Sequence, residues 1–301
     1  MSRYGAHLMR AARLHEVGGI PQVDEIDQPD AAEAVPVSMG ALNPVDISIG
    51  SGRFYGGTPP TPYVIGSEVV GRAPDGRRLW VRGRELLSER VDPSGRWAFD
   101  VPEGTSDEAA LTCGIAGLTA WLALSWRAPV QAGDTVLVLG ASGTLGRVAV
   151  QAARILGAER VIGAARRIEL VPDAADEVFD LSEDGPLPEA KYILDALWGE
   201  PLERALAAAA DGVRIVQIGQ SAGPSATLLS NWVRGKSATI FGYSVFSTPE
   251  HIAEAGYGEL CRHARDSRIV TETETYPLDE IAEAWQRQAS GSPGAKILVA
   301  F

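Results

Sequence analysis

Short apolar runs alternate with longer amphipathic segments through the middle of the chain. The apolar runs, rich in β-branched and aliphatic residues, predict strands at 135–139, 159–165, 177–181, 192–197, 213–219 and 237–246. The segments between them predict helices, among them 201–210, 226–234 and 250–265. Alternating strands and helices are typical of a parallel sheet with helices on both faces. The sequence therefore predicts an α/β domain with a doubly wound parallel sheet.

The two flanking regions have a different pattern. Residues 10 to about 110 are rich in Gly and Pro and contain short β-like runs, which predict a compact β domain with many turns. Residues 269–276 alternate with period two, a helix is predicted from Leu278, and 295–301 read as a last strand. We expect these C-terminal pieces to complete the first domain. The predicted domains are 1–121 with 266–301, and 122–265.

A glycine-rich turn joins the first strand of the predicted parallel sheet to its helix. It reads Gly140-Ala-Ser-Gly143-Thr-Leu-Gly146 and follows the run Thr135-Val-Leu-Val-Leu directly. Glycines in this setting allow a tight turn and a close approach of a pyrophosphate, and the helix N-terminus offers free N–H groups. The alternative is a purely structural turn. The predicted phosphate-binding residues are Gly140, Ser142, Gly143, Thr144, Leu145 and Gly146.

The end of the second strand of this sheet favours NADP(H) over NAD(H). An NAD site usually has an acidic residue there for the ribose hydroxyls, whereas this chain has Arg166 and Arg167 after Gly163-Ala-Ala. Guanidinium groups match the geometry of a 2′-phosphate with paired donors. The alternative is that the two arginines only solvate a loop.

Composition and charge exclude several classes of protein. The 301 residues are 45% hydrophobic, which supports a full core and two domains. The net charge of -12 disfavours a nucleic-acid partner, because phosphates would be repelled. No apolar run reaches the roughly 18 residues that span a membrane, and the N-terminus lacks a signal pattern. A cytoplasmic protein is the resulting expectation.

Cysteine and histidine give no metal site in the sequence. Cys113 and Cys261 are far apart and lack the Cys-x-x-Cys spacing. The four histidines are scattered, and Cys261 and His263 would not share one face of a helix. No metal ligand is therefore predicted.

Four segments, in this order, resemble the zinc-free quinone oxidoreductase branch of the medium-chain dehydrogenase/reductases. They are Ala41-Leu-Asn-Pro-Val-Asp46, Ile65-Gly-Ser-Glu-Val-Val-Gly71, the stretch from Ala109 to Leu124, and the glycine turn with its helix. The ending Gly294-Ala-Lys-Ile-Leu-Val is similar too. The resemblance implies a GroES-like β domain, a Rossmann domain, NADPH in the cleft between them, and a homodimer.

The resemblance also implies further cofactor contacts and an explanation for the missing metal ligands. The additional cofactor-binding residues are Asn43, Thr119, Gly219, Gln220, Ser221 and Phe241. The Thr119 hydroxyl could equally be a buried group bonded within its helix. Zinc-dependent relatives have Cys and His ligands where this chain has Asp46 and Ser67. Carbonyl activation would then come from hydrogen bonds or a proton donor, which favours quinones or conjugated C=C bonds as acceptors. The alternative is an NADPH-binding structural or regulatory protein without turnover.

The candidate catalytic residues are Asn43, Asp46 and Tyr55. The resemblance implies that Asn43 and Asp46 lie beside the nicotinamide, where Asn43 would donate to a substrate oxygen or a ribose. The alternative is structural: Asn43 before Pro44 could cap a helix, with Asp46 reciprocating. Tyr55 is a proton donor only if its ring turns into the cleft, whereas Phe54 can shape the pocket but not donate. The run 237–246, at the expected sheet edge, predicts a homodimer through strand pairing.

Overall fold

Residues 7–29, 32, 34–291 and 293–301 are described by a computed structural model. They form two compact units. The first unit is Met1–Ile115, Tyr257–Ser267 and Glu272–Phe301, and the second is Ala116–Gly256 with Arg268–Thr271. The chain passes between units at 115/116, 256/257, 267/268 and 271/272, whereas the predicted boundaries are 121/122 and 265/266.

The first unit is built from two sheets. Its early elements are β1 (Leu8–Leu14), β2 (Gln22–Asp27), β3 (Val35–Leu42), α1 (Pro44–Gly50), β4 (Tyr63–Val64), β5 (Glu68–Arg72), β6 (Arg78–Arg82), β7 (Arg90–Val91), β8 (Trp97–Asp100) and α2 (Asp107–Thr112). Strands β2, β1 and β4 form a small antiparallel sheet, and β3, β5, β6 and β8 are neighbours in a larger one. The first unit therefore consists mainly of short strands joined by turns, as the sequence predicts.

The second unit holds a six-stranded parallel sheet. Its elements are α3 (Leu118–Leu122), β9 (Thr135–Leu139), α4 (Thr144–Ile155), β10 (Arg160–Ala165), β11 (Glu177–Asp180), β12 (Tyr192–Asp195), α5 (Gly199–Ala208), β13 (Arg214–Gln217), α6 (Ser230–Gly235) and β14 (Thr239–Gly242). The strand order is β11-β10-β9-β12-β13-β14, and every neighbouring pair is parallel. The predicted doubly wound sheet is confirmed, and its order reverses between β9 and β12, where ligands bind in such folds.

The last elements return to the first unit. Helix α7 (Glu250–Arg265) spans both units, and β15 (Thr273–Pro277), α8 (Ile281–Ala289) and β16 (Lys296–Ala300) follow it. Strand β16 pairs with β3 in antiparallel fashion and with β15 in parallel. Helix α8 packs Trp285 into an apolar core with Leu14, Leu42 and Ile297, all nearly or fully buried. This packing fixes β16 within the larger sheet.

Two predicted elements are shorter in the structure than in the sequence pattern. The helix predicted at 226–234 begins only at Ser230, and residues 226–229 are not helical. The strand predicted at 237–246 is the four-residue β14, because the chain turns into a short helical segment at Val245–Ser247. Hydrophobic content alone did not mark these ends.

The stretch Asp107–Arg127 corrects the expectation that no segment is long and apolar enough to cross a membrane. Within the described residues it is one such helical stretch, of 21 residues, and 78% of its most apolar window is buried in the protein. The stretch is also kinked at Gly114, whose ψ is -136°. Burial inside the protein and a kink are typical of a core helix of a folded domain. The length and the apolar composition of the stretch do not by themselves make it a membrane-spanning helix.

Candidate functional site

The glycine turn between β9 and α4 has the shape that a phosphate group needs. Gly140 adopts a φ of +87°, which side chains disfavour. A Cβ on Gly146 would lie 2.1 Å from the Gly140 carbonyl oxygen, so only glycine fits there. Gly143 is extended and α4 begins at Thr144, which leaves the first-turn N–H groups without partners inside the helix. The remaining predicted residues of this turn are Ser142, which is buried, and Leu145, which is half-buried. The turn fits an anionic pyrophosphate.

Arg166 and Arg167 directly follow β10, beside the glycine turn. The N–H groups of Gly140 and Ala141 both donate to the Ala164 carbonyl, at 2.9 and 3.1 Å. The carboxyl ends of β9 and β10 are therefore adjacent, and the two arginines lie in the chain segment that directly follows β10. Arg166 is exposed and Arg167 is half-buried. Their position is compatible with binding a phosphate next to the turn.

The predicted loop Gly219-Gln220-Ser221 lies after β13, against the end of β12. A Cβ on Gly219 would lie 2.6 Å from the Ala196 carbonyl oxygen, so this close approach requires glycine. The Ser221 hydroxyl donates to the same carbonyl at 3.1 Å, and Gln220 is exposed. The loop is thus held at the same edge of the parallel sheet as the glycine turn.

Two other predicted cofactor-binding residues, Thr119 and Phe241, lie outside the loops described above. Thr119 is the second residue of α3 and is 7% exposed. The Phe241 ring, in β14, lies under the Arg127 guanidinium at 4.9 Å. One face of the Phe241 ring is therefore already covered, and the cofactor contacts of both residues stay predictions.

Asp195, at the end of β12, is a buried carboxyl that sequence reasoning missed. It is fully buried, and its Oδ1 accepts the N–H groups of Leu197 and Trp198, each at 2.9 Å. Its Oδ2 has no partner among the described residues. Burial raises the pKa of Asp195 to about 6, against the lowering effect of the two N–H groups. Leu197 lies beside Gly140, so Asp195 fixes a loop that borders the glycine turn.

In the first unit, Asn43, Glu68 and Lys296 form a closed ring of hydrogen bonds. Lys296 Nζ donates to Asn43 Oδ1 and to Glu68 Oε1, both at 2.6 Å. Asn43 Nδ2 donates to Glu68 Oε1 at 2.9 Å. Because an ammonium only donates and a carboxylate only accepts, the orientation of the Asn43 amide is fixed. One N–H of that amide is left over for another acceptor.

The second oxygen of Glu68 is also fully used. Its Oε2 accepts from Trp80 Nε1 at 2.9 Å and from the Ile115 N–H at 2.8 Å. A Cβ at Gly114 would lie 2.0 Å from that oxygen, so the kinked glycine lets the carboxylate reach the following helical turn. Four donors thus hold a carboxylate that has no exposed surface. This compensation is what a buried charge requires.

Asp46 lies next to this ring and is 3% exposed. Its Oδ2 accepts the Asn43 N–H at 2.7 Å, and its Oδ1 accepts from the Ser67 hydroxyl. Burial raises the pKa of Asp46 to about 6, and the two hydrogen bonds oppose this shift. Since the folded-state pKa lies above the ordinary value of 3.8, the protonated form is favoured by folding. Asp46 can therefore hold a proton up to about pH 6.

The capping alternative for Asn43 accounts for only part of this geometry. Asn43 occupies the N-cap position of α1, with φ -123° and ψ 160°, and forms a capping box with Asp46. In that box the Asp46 carboxylate accepts the Asn43 N–H. The Asn43 amide is also held by Lys296 and Glu68, which come from other strands. Asn43 therefore takes part in both the cap and the ring of hydrogen bonds. A cap on α1 does not require the contacts with Lys296 and Glu68, so capping alone does not explain them.

Tyr55 is not brought to the other two candidate catalytic residues. Its side chain is 84% exposed, and its ring packs at 4.5 Å from that of Phe54. The ring is thus outside the buried cluster of Asn43 and Asp46, and the role of Tyr55 as proton donor stays a prediction. Among the described residues, no group of three or more His, Cys, Asp or Glu side chains is arranged to hold a metal ion.

Sequence reasoning missed Lys296 as a site residue and quoted Glu68 only as part of a motif. Lys296 opens an apolar strand, where a lysine breaks the pattern of its neighbours. A charged residue in a strand predicted to be buried was the available signal, since such a charge needs a partner. The identity of that partner, 228 positions away, carried no signal in one sequence.

The chain is similar to known quinone oxidoreductases along its whole length. It is 29% identical to the quinone oxidoreductase of Pongo abelii, over 98% of this chain and 99% of that protein. The corresponding values for the human quinone oxidoreductase are 27%, 98% and 99%. No protein-family model matches the chain.

Solved structures give the same result for the fold. The quinone oxidoreductase of Thermus thermophilus, also solved in complex with NADPH, has a TM-score of 0.80 at 27% identity, over 97% of this chain and 100% of that one. A protein of Bacillus thuringiensis described as a putative NADPH:quinone reductase has a TM-score of 0.84 at 18% identity, over 98% and 100%. The latter likeness shows the fold alone.

Proposed function

We propose that this chain, which belongs to the medium-chain dehydrogenase/reductase superfamily, is an NADPH-dependent oxidoreductase that transfers hydride to a quinone or an α,β-unsaturated carbonyl compound without a metal ion. The observation that carries the proposal is the glycine turn, which has no room for a Cβ at Gly146. It stands in a chain that matches quinone oxidoreductases over 98% of its length. The glycine turn supports nucleotide binding, and the similarity to quinone oxidoreductases supports the reaction class.

The residues of the second unit fit NADPH. The glycine turn and the first turn of α4 would hold the pyrophosphate, and the loop at Gly219 would border it. Arg166 and Arg167 would pair with the 2′-phosphate. When bound, the dihydronicotinamide supplies the hydride. The chain's own task is to bind the cofactor and to stabilise the charge that develops on the acceptor.

Replacing Arg166 or Arg167 with alanine should weaken NADPH binding and leave NADH binding nearly unchanged. Loss of one charge-assisted contact is worth roughly 1.5–3 kcal/mol, or about tenfold to a hundredfold in Kd. The measurement is a fluorescence titration of each variant with both cofactors. Arg204→Ala, on α5 of the same unit, serves as the control. Equal affinity of the wild type for NADPH and NADH would contradict the cofactor assignment.

In the first unit, the Asn43 amide would act on the acceptor oxygen. Its orientation is fixed by Lys296 and Glu68, so its remaining N–H is preorganised as a donor. The Lys296 ammonium polarises the amide carbonyl, which strengthens that N–H as a donor. Quinones and enones need less activation than saturated carbonyls, and a hydrogen bond can serve them.

The proposed function is tested by a panel of quinones, enones and enoyl thioesters with the metal chelator EDTA present. We expect NADPH absorbance to fall with quinones or enones, faster than in buffer alone. Asn43→Ala should lower turnover by about a hundredfold to a thousandfold, as for loss of one donor to a developing charge. A protein that binds NADPH and leaves it unoxidised with every acceptor would be a binding protein instead.

We also propose a homodimer that pairs through the β14 edge. Strand β14 ends the parallel sheet, and its Ile240 side chain is 37% exposed. We expect light scattering to give twice the 31.9 kDa of one chain, and Ile240→Lys to give a monomer. Val178→Lys, on the opposite edge strand β11 and 44% exposed, is the control that should stay dimeric. A monomeric wild type at micromolar concentration would contradict the proposal.

A further inference from the structure

A small cavity in the first unit leads from Asp46 to the protein surface. Asp46, Ser67 and Tyr63 line its inner part, and Arg84 and Glu85 line it as well. Asp46 and Tyr63 are 3% and 6% exposed, whereas Arg84 and Glu85 are exposed. The cavity therefore joins a buried carboxyl to residues in contact with solvent.

The Tyr63 hydroxyl points to a water molecule in this cavity. The hydroxyl oxygen is buried and has no hydrogen-bond partner among the described residues. Buried hydroxyls in proteins are nearly always bonded to protein or to ordered water. The cavity offers about 10 Å³ to the centre of a water molecule, which is about the room that one water needs. Tyr63, Ser67 and Asp46 all line the cavity and carry the oxygens that can bond such a water.

We propose that this cavity is a proton inlet, in which one water held by Tyr63 and the Asp46–Ser67 pair returns to Asp46 the proton that it gives up in each reduction. The inference rests on the proposed function. It assigns Asp46 as the proton source in place of the exposed Tyr55, with Ser67 as the relay and Tyr63 as the residue that holds the water.

The proton balance is simple. Hydride addition leaves the acceptor oxygen as an anion, which needs one proton. The Ser67 hydroxyl donates to the ionised Asp46 carboxylate, and it turns when Asp46 is protonated, so that Asp46 donates to Ser67 Oγ. The Asp46 O–H bond then breaks, Ser67 takes that proton, and the Ser67 hydroxyl passes its own proton on to the acceptor oxygen. Asp46, now a carboxylate, then takes a proton from the cavity water, and solvent restores the water. No electrons beyond those of the hydride are moved.

The charges around Asp46 suit this cycle. Glu68 on β5 opposes loss of its proton, while Lys296 on β16 favours it. Arg84 and Glu85 also line the cavity. Burial dominates and raises the pKa of Asp46 to about 6. Both protonation states are therefore accessible near neutral pH, and kcat should fall as pH rises above about 6.

The test compares the wild type with Tyr63→Phe in quinone reduction by NADPH, in H₂O and in D₂O. Tyr63→Phe should lower kcat by about tenfold to a hundredfold, since proton supply becomes rate-limiting. Its solvent isotope effect should exceed that of the wild type, and KM for NADPH should not change. Tyr243→Phe is the matched control, because Tyr243 is a buried tyrosine of the second unit bonded to Thr248. It should keep the wild-type kcat and isotope effect.

A wild-type kcat and isotope effect in Tyr63→Phe would overturn the inlet. A crystal structure at high resolution reads the water site without any turnover. A water within hydrogen-bond distance of Tyr63 Oη and of Asp46 or Ser67 is expected, and a Tyr63 hydroxyl bonded only to protein would overturn the inference. A wild type that oxidises no NADPH with any acceptor would instead defeat the proposed function, whatever the water site shows.

Discussion

Lys296→Met is expected to destabilise the protein by about 3–5 kcal/mol, as for removal of one partner of a buried ion pair. Glu68 has no exposed surface, and the Lys296 ammonium donates to its Oε1 at 2.6 Å. Methionine has a similar length and neither charge nor donor, so Glu68 would stay buried without the ammonium that bonds to it. The Asn43 amide would lose its fixed orientation at the same time.

Urea unfolding at pH 7, followed by tryptophan fluorescence, measures this loss. The double variant Lys296→Met with Glu68→Gln should recover a large part of it, because no charge is then left unpaired. Lys191→Met is the control, since Lys191 is exposed and should change the free energy of unfolding by less than about 0.5 kcal/mol. A Lys296→Met protein as stable as the wild type would show that the ring is not a structural charge pair.

Gly146→Val is expected to abolish tight NADPH binding, with Kd for NADPH raised by more than about a hundredfold, or about 2.7 kcal/mol. Any Cβ at this position lies 2.1 Å from the Gly140 carbonyl oxygen and 2.7 Å from Ala141 Cα. The turn must open for the side chain to fit, and its N–H groups then no longer converge on one point.

A fluorescence titration with NADPH measures this effect, with a thermal melt to establish that the variant is folded. Gly235→Ala is the control in the same unit, because a Cβ there meets nothing within 4 Å. Its Kd should match that of the wild type. A Gly146→Val protein that is folded and binds NADPH with a Kd within threefold of the wild type would place the nucleotide elsewhere.

Local patterns predicted the second unit well. The turn at Gly140–Gly146 combines a strand, three glycines and a helix within a few residues, so its geometry is written in adjacent positions. Element ends were less predictable, as β14 shows. The hydrophobic run of β14 continues past Gly242 in the sequence, but the backbone leaves the sheet there. Such ends depend on tertiary contacts that propensity does not contain.

The site of the first unit was predictable only in part. Asn43 and Asp46 could be singled out, because Asn-Pro-x-Asp has both a local capping meaning and a family resemblance. Their partners come from strands distant in sequence: Lys296 is 253 positions from Asn43. Tyr55 was singled out by its neighbourhood in sequence, and its side chain is 84% exposed in the structure. Long-range packing decides such cases, and one sequence does not report it.

A single-turnover experiment tests whether the protein transfers hydride from NADPH to a quinone. The protein, dialysed against EDTA and loaded with one equivalent of NADPH, is mixed with an excess of a simple quinone, and the dihydronicotinamide absorbance is followed. We expect bound NADPH to be oxidised much faster than NADPH in buffer, and we expect Gly146→Val to remove this acceleration. Bound NADPH that is oxidised no faster than free NADPH would contradict the proposed hydride transfer.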